Sequence, residues 1–420
     1  MVVGTIIGST IFVQPSAVTS LVPSVTGIML VWLVSGILTL LGALVCAELA
    51  SIFTQSGGVY VYLKEAFSPA LGFLWGWAMF WVMHSGIIAA IAVIFARYVA
   101  YFVPLEDQGI KIVAIACILF LSAVNYVGVK NGSALQTALT FAKVLAIVLM
   151  IACGFVVGSS LPVHFATGDN LDTHVTMANF FLAVGACLFT YGGWHMVAYN
   201  SEETIAPRKT IPRALILGTV IVTLCYIAIT AAYAYVLPLS RVASSTRVAA
   251  DAADALFGFG GGALMSGLVV VSAFGSLTGI VLSGPRVYYS MARDGLLLRW
   301  MGRIHPKYRT PTRAIVVQGI WASVLVASGT YGSLFRRVIY TEWIFFGLMA
   351  IGLFVLRRRP EIERDYSVWG YPVVPVIFIV SSFAIVVNQI ASDPAESFAG
   401  LTLVLIGLPV YYFTARRRRV

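Results

Sequence analysis

Apolar residues fill this chain in long uninterrupted runs, separated by short loops rich in polar residues, glycine and proline. Many of the runs approach or exceed the roughly 20 residues that carry a helix across a bilayer. Reading hydropathy against the loop signals places about 12 spans, near residues 2–21, 27–54, 68–103, 109–129, 134–158, 175–199, 212–237, 262–290, 313–330, 338–356, 372–390 and 398–414. Spans 2, 3 and 8 are long enough to tilt or to project beyond the membrane. The pattern predicts an all-α polytopic membrane protein.

Two spans are interrupted from within. Span 1, "MVVGTIIGSTIFVQPSAV", carries Gly8, Ser9 and Thr10 in a row at its middle. Helix propensity disfavours that cluster, and hydrocarbon penalises any backbone group it leaves unpaired. Span 6, "NFFLAVGACLFTYGGWHMVAYNSEE", is interrupted at Gly192 and Gly193. The interrupted spans are first and sixth, and a repeat of five is odd, so the second copy must cross in the opposite sense. That is the arrangement of inverted-repeat transporters, whose paired discontinuous helices form a midplane substrate site. The competing reading is that such glycines only let helices pack closely, and Gly72/Gly76, Gly154/Gly158 and Gly275/Gly279 are read that way.

An interruption of this kind has chemical consequences. The first half of span 1 ends with unpaired carbonyls from about Ile6 and Ile7, and its second half starts with unpaired amides at Ser9, Thr10 and Ile11. Carbonyls near Leu188 and Phe189 in span 6 point at the same gap. One side offers partial negative charge and the other partial positive charge. A ligand bearing both an ammonium and a carboxylate satisfies both, which points to an α-amino acid. A purely cationic amine would leave the span 1 amides to water.

Charge supports a membrane reading and orients it. The chain is 60% hydrophobic and only 10% charged, too little polar surface for a soluble domain. With a cytoplasmic N-terminus, 20 of the 27 Lys and Arg residues fall on inner loops and 6 on outer ones. This fixes both termini inside by the positive-inside rule. The net charge of +10 is therefore a topology signal and an anionic-lipid contact, with no nucleic-acid partner expected. The first residues lack a basic segment before the apolar run, so no cleavable signal peptide is expected. The five cysteines show neither paired nor metal-ligand spacing and read as packing residues. The outer loop "VAADAADALFG" is read as a solvated connector in preference to a short surface helix.

At the interrupted spans the chain resembles the amino acid–polyamine–organocation superfamily, and within it the L-type amino acid transporter family. "GTIIGSTIFVQP" is similar to that family's first-helix signature. "AELASIFTQSGGVYVYLKEAF" (47–67) resembles the segment joining helices 2 and 3, and "VNYVGVKNGSALQTALTFAKVLAI" (124–147) helices 4 and 5. "FTYGGW" with "EETIAPRKTIPRAL" (189–215) resembles helix 6 and its following loop. "SGPRVYYSMARDGLLLRW" with "HPKYRTPTRA" (283–314) resembles the end of helix 8 and the loop beyond. The likeness runs in order along essentially the whole chain.

The resemblance implies a leucine-transporter-type fold: a five-helix repeat over 1–158, its inverted copy over 175–356, and two appended helices over 372–414. It implies sodium-independent amino-acid transport by alternating access, with no cofactor and no metal, and exchange, proton symport and facilitated diffusion all remain open. Carried over, the backbone amides of Ser9 and Thr10 would hold the carboxylate. The carbonyls of Ile6, Phe189 and Gly192, beside Thr190, would hold the ammonium, and Phe189 would close over the substrate. Thr10 stands where the family has its second glycine, and its β-branched side chain narrows the pocket. Leu298 replaces a common proline. Only seven residues precede Gly8, against a fuller lead in the family, so a start further upstream is expected. Animal members that pair with a single-span glycoprotein use a cysteine between helices 3 and 4. The corresponding "VPLEDQGIK" has none, so no disulfide-linked heavy chain is expected.

Ionisable residues inside spans are few. Lys143 lies about a dozen residues into span 5, roughly 15–18 Å from its inner end, too deep for easy snorkelling. It is read as donating to the span 1 break near Gly8, where sodium sits in ion-coupled relatives, and the family likeness pairs it with Tyr226 of helix 7. His84 reads as one end of an interhelical hydrogen bond. His195 either braces the span 6 break or packs. Glu342 is read as a partner for Arg336 or Arg337, with an outer-vestibule charge as the alternative. Glu48 and the pair Glu202/Glu203 could close an inner gate or form ordinary interfacial pairs. An intramembrane enzyme finds no HExxH, no GxSxG and no paired carboxylates. A non-transporting amino-acid receptor and a polyamine or organic-cation transporter are the other readings.

Overall fold

A computed structural model describes residues 2–55, 57–127, 132–158, 175–297, 300–308 and 310–416. Of the residues singled out above, Leu298 and the side chains of Glu202 and Glu203 lie outside the described residues. In chain order the helices are α1 (Val2–Ile6), α2 (Gln14–Leu21), α3 (Val25–Ile52), α4 (Val59–Ala66), α5 (Pro69–Ala78), α6 (His84–Val99), α7 (Asp107–Val127), α8 (Gly132–Val156) and α9 (Met177–Thr190). There follow α10 (Pro207–Val236), α11 (Leu239–Ser244), α12 (Val248–Phe257), α13 (Phe259–Arg293), α14 (Thr312–Ser328), α15 (Tyr331–Arg357), α16 (Val373–Ser392), α17 (Pro394–Leu405) and α18 (Gly407–Arg416). Among the described residues there is no strand. A π turn at Met79–Met83 joins α5 and α6 into one stretch, Pro69–Val99.

Local sequence explains where these helices start. Ser24 caps α3 by accepting from the Gly27 amide at 3.1 Å, and Ser68 caps α5 ahead of Pro69. Thr330 and Ser333 form a reciprocal cap on α15, and Asp393 precedes Pro394 at the head of α17. Each of these satisfies an amide that a helix start otherwise leaves without a partner. Nine helical stretches among the described residues are long and apolar enough to cross a membrane, and Phe141–Val156 and Thr312–Ser328 are shorter apolar helices.

The burial pattern inverts that of a soluble protein. On α3, Leu30, Leu33 and Ile37 are exposed at helical spacing, as are Leu217, Ile221 and Leu224 on α10. Polar and aromatic groups such as Glu48, His84, His195 and Tyr226 are buried instead. Such an apolar exterior is what a lipid solvent requires. Small residues then let helices approach. A methyl group added at Gly36 would collide with Thr223 of α10, and one at Gly154 would press on Ala232. Gly76 meets Met291 in the same way, as the close-packing reading of these pairs expects.

The segment "VAADAADALFG" overturns its sequence reading. It folds as α12, packed on α13 with Val248, Ala249, Ala250, Ala252 and Ala253 buried. Its aspartates are used to fix it. Asp254 accepts from Tyr101 and from the Gly262 amide, and Asp251 accepts from Ser245. Alanine-rich apolar faces between aspartates look like a solvated loop in composition, but here they are a packing surface.

Candidate substrate site

The first interruption is sharp. α1 ends where the Ile7 amide donates to the Val3 carbonyl at 2.8 Å. Gly8 is extended, with φ −97° and ψ −176°, and Ser9–Phe12 winds as a 3₁₀ turn before α2 begins. A 3₁₀ turn bonds residue i to i+3. The amide of Ile11 is therefore turned back to the Gly8 carbonyl, and the amides left at its start are those of Ser9 and Thr10. Ile11 thus drops out of the expected set of free donors. Gly8 needs no special dihedral angle here, and an added Cβ would meet nothing closer than the Thr10 hydroxyl at 3.6 Å. A methyl group there would make ordinary contacts with Thr10 and the Ile6 carbonyl and no clash.

The second interruption uses different means. α9 closes with Tyr191 donating to Cys187 at 3.0 Å and Gly192 to Phe189 at 3.2 Å. Gly193 then turns at φ +95°, in the left-handed region, and Trp194–Glu203 continues as a 3₁₀ helix. A Cβ on Gly193 would stand 2.7 Å from the Thr5 carbonyl oxygen. The two breaks are in contact, and glycine is what lets them touch.

Side chains from two neighbouring helices tie the loose backbone ends. The Tyr226 hydroxyl of α10 lies 3.0 Å from the Ile6 carbonyl and 3.2 Å from that of Thr190, so it bridges the two broken helices. The Lys143 ammonium of α8 donates to the Ile7 carbonyl at 3.1 Å and to the Ser276 hydroxyl of α13 at 3.0 Å. The lysine thus sits at the span 1 break as the sequence suggests. The expected Lys143–Tyr226 contact is not found among the described residues; the two side chains serve adjacent carbonyls. Ser276 was not foreseen, since a serine in an apolar span carries little signal.

What remains unsatisfied marks the centre of the site. The Ser9 and Thr190 hydroxyls, one from each break, are buried and have no partner. A buried hydroxyl without a partner costs about 1–3 kcal/mol, so such atoms are expected to find one in a bound molecule or in water. The Ile6 carbonyl accepts from Tyr226 and has a second lone pair to offer, while the Phe189 carbonyl accepts from the Tyr191 and Gly192 amides at the helix end. The Phe189 ring packs against Phe335 of α15, centroids 5.7 Å apart.

Two polar layers flank the site along the bundle. On one side Phe335 contacts Tyr331, whose hydroxyl donates to Gln14 at 2.6 Å beneath the Arg97 guanidinium. Tyr98 donates to the Phe12 carbonyl in the same layer. On the other side Glu48, wholly buried, is gripped by Arg357 through both carboxylate oxygens and accepts from the Val368 amide at 2.7 Å. Asp294 there accepts from Tyr60 and, at 2.8 Å, from Lys64. Burial alone would raise the Asp294 pKa. The hydrogen bonds from Lys64 and Tyr60 outweigh it and hold the carboxyl below its usual value.

Three further residues can be placed. His84 pairs through Nε2 with the Ile280 carbonyl of α13 at 2.8 Å, the interhelical bond expected of it. His195 follows the second break and packs among Trp75, Trp194, Tyr199 and Phe346. Glu342 departs from its reading. Arg336 pairs with Asp393 and Arg337 with Glu396, leaving Glu342 buried with no ion pair among the described residues. The arginines at the start of α15 find carboxylates on α17 close by, while Glu342 lies a turn and more deeper.

The chain is similar to known proteins along nearly its whole length. A family model described as amino acid permease matches residues 1–410. The serine/threonine exchanger SteT of Bacillus subtilis is 34% identical over 100% of this chain and 95% of its own length. The human b(0,+)-type amino acid transporter 1 is 33% identical over 98% of this chain and 85% of its own. The human cystine/glutamate transporter is 30% identical over 98% and 83% respectively.

Proposed function

Because the chain belongs to the amino acid permease family, in the L-type branch of the amino acid–polyamine–organocation superfamily, we propose that it moves α-amino acids across the membrane by alternating access, holding the substrate at the junction of its two broken helices. Its relatives are amino-acid transporters and exchangers, which supports transport over an enzyme reading. The observation that carries the site is the pairing of the breaks: free amides at Ser9 and Thr10 face unpartnered hydroxyls and acceptor carbonyls in one buried place. The carboxylate goes to the Ser9 and Thr10 amides and the ammonium to carbonyls of Ile6, Phe189 and Gly192.

The membrane crosses the bundle twelve times in this reading, counting the nine long stretches, the two shorter helices and the interrupted first span. The halves 1–158 and 175–356 are the inverted repeats, and 372–414 is appended. The end carrying Glu48, Lys64, Asp294 and Arg357 faces the cytoplasm, as the distribution of basic residues requires. The Gln14–Tyr331 layer is then the outer gate and the Glu48–Arg357 and Lys64–Asp294 pairs the inner one. Sodium is not required, because the Lys143 ammonium supplies a positive charge at the span 1 break. The protein works without a disulfide-linked partner, a reading supported by five cysteines that all lie in helices, buried or half-buried.

Purified protein in liposomes tests this. Vesicles loaded with unlabelled amino acid are expected to take up labelled amino acid in the absence of sodium. Failure of every amino acid in a full panel to exchange would overturn the reading.

A further inference from the structure

We infer that Glu342 is the proton-binding group of this transporter, so that amino-acid movement is coupled to protons through a carboxyl outside the substrate site. The inference rests on the transport reading above. Glu342 lies eleven residues into α15, about 17 Å along it, and is only 7% exposed. A carboxylate at that depth is costly unless a cation or a proton neutralises it.

The cations within reach are already committed. Arg336, Arg337 and Arg357 of the same helix pair with Asp393, Glu396 and Glu48. Among the helices packed on α15, Lys64 of α4 is held by Asp294 and Glu65, and Arg97 of α6 lies over the Tyr331 ring. Tyr60 and Tyr98 donate to Asp294 and to the Phe12 carbonyl. The π turn and α16 contribute no titratable side chain. That leaves Tyr340 on α15 itself, Cys46 on α3, Tyr62 on α4, His84 on α6 and Cys187 on α9, all of them neutral or able to be so.

A line of proton-exchanging groups runs away from the carboxyl. The Tyr199 hydroxyl lies 3.9 Å from the weak acceptor Met79 Sδ. The Tyr199 ring packs on His195, and His195 packs on Phe346, one helical turn beyond Glu342 on α15. Among the described residues, the Nδ1 atoms of His84 and His195 and the hydroxyl of Tyr288 are buried without partners. Since a carbonyl can only accept, His84 carries its proton on Nε2 when neutral, and its Nδ1 is a free acceptor. Aromatic rings crowd His195 from several sides, with centroids 5.0–5.9 Å away. This packing suits a proton better than a substrate side chain. The step is simple: the Glu342 carboxylate takes a proton from one side and, as the carboxylic acid, yields it to the other. No other bond forms or breaks.

The test uses the full chain in liposomes, in two assays. Exchange into amino-acid-loaded vesicles reads transport itself, and uptake into empty vesicles under an inward acid gradient reads coupling. The wild type is expected to do both, with the second abolished by a protonophore. Glu342→Gln is expected to keep exchange, with its pH dependence flattened, and to lose gradient-driven accumulation. Tyr199→Phe is expected to shift the pH midpoint of accumulation while exchanging normally, and it decides the matter if Glu342→Gln does not fold. Wild-type exchange with no response to the acid gradient would overturn the inference and leave the transport reading intact. So would gradient-driven uptake that survives Glu342→Gln, or a variant that loses only cationic amino acids, which would make the carboxylate a side-chain receptor.

Discussion

The Lys143 ammonium donates to the Ile7 carbonyl from 3.1 Å, and Ile7 is the residue at which the first helix stops. A positive charge therefore caps a helix C-terminus inside the bundle, the favourable polarity for a helix dipole. Its second bond, to Ser276, ties that terminus to α13. Hydrogen bonds from charged donors contribute about 1.5–3 kcal/mol. Lys143→Ala is thus expected to cut uptake roughly tenfold or more, at about 1.4 kcal/mol per tenfold. Surface expression should stay near wild type. Labelled uptake alongside quantified membrane protein checks this, and wild-type uptake would remove the role.

Tyr226 bridges the two breaks with one hydroxyl. Tyr226→Phe keeps the ring and its packing against Trp32 and Tyr191 but removes the bridge. The expected result is a several-fold rise in KM for exchange with little change in thermal stability. An unchanged KM would mean that the carbonyls hold their positions unaided.

The two glycines at the breaks should fail in different ways. At Gly8 a methyl group meets no protein atom closely, so Gly8→Ala is expected to fold normally and lose substrate affinity. At Gly193 the positive φ and the nearby Thr5 carbonyl make alanine strained, at a cost of about 1–3 kcal/mol. Melting curves with and without amino acid separate the cases. Equal destabilisation by both substitutions would contradict the geometry.

Glu48 is fully buried and Arg357 is its counter-ion. Removing one partner of a buried pair costs about 3–5 kcal/mol, because the other charge is stranded. Arg357→Ala should therefore lower the melting temperature sharply, and adding Glu48→Gln should restore much of the loss. A double variant no better than the single one would show that the arginine acts through its packing on the Tyr371 ring instead.

Asp294 has a pKa depressed in the folded protein, so the stability it contributes is present at neutral pH and is lost as pH falls through that depressed value. Wild type and Asp294→Asn should differ in melting temperature near neutrality and converge in acid. A difference that grows on acidification would reverse the assignment.

The sequence by itself determined the solvent, the number of apolar runs and the two places where helix must fail. These follow from composition and from the helix-disfavouring clusters Gly8–Thr10 and Gly192–Gly193, both of which are local properties. Lys143 was legible for the same reason: a charge deep in an apolar run demands a partner, and an interrupted helix nearby supplies carbonyls. Tertiary structure decided which partner each group takes. Glu342 stands five residues from Arg337, yet the arginine turns to Glu396 on another helix and the carboxyl is buried with no ion pair among the described residues. Glu48 finds Arg357 more than three hundred residues away, and "VAADAADALFG" becomes a helix because α13 gives its alanines a surface to cover. Periodicity and propensity act over a few residues, whereas ion pairing and packing depend on which helices meet, and that depends on the whole bundle.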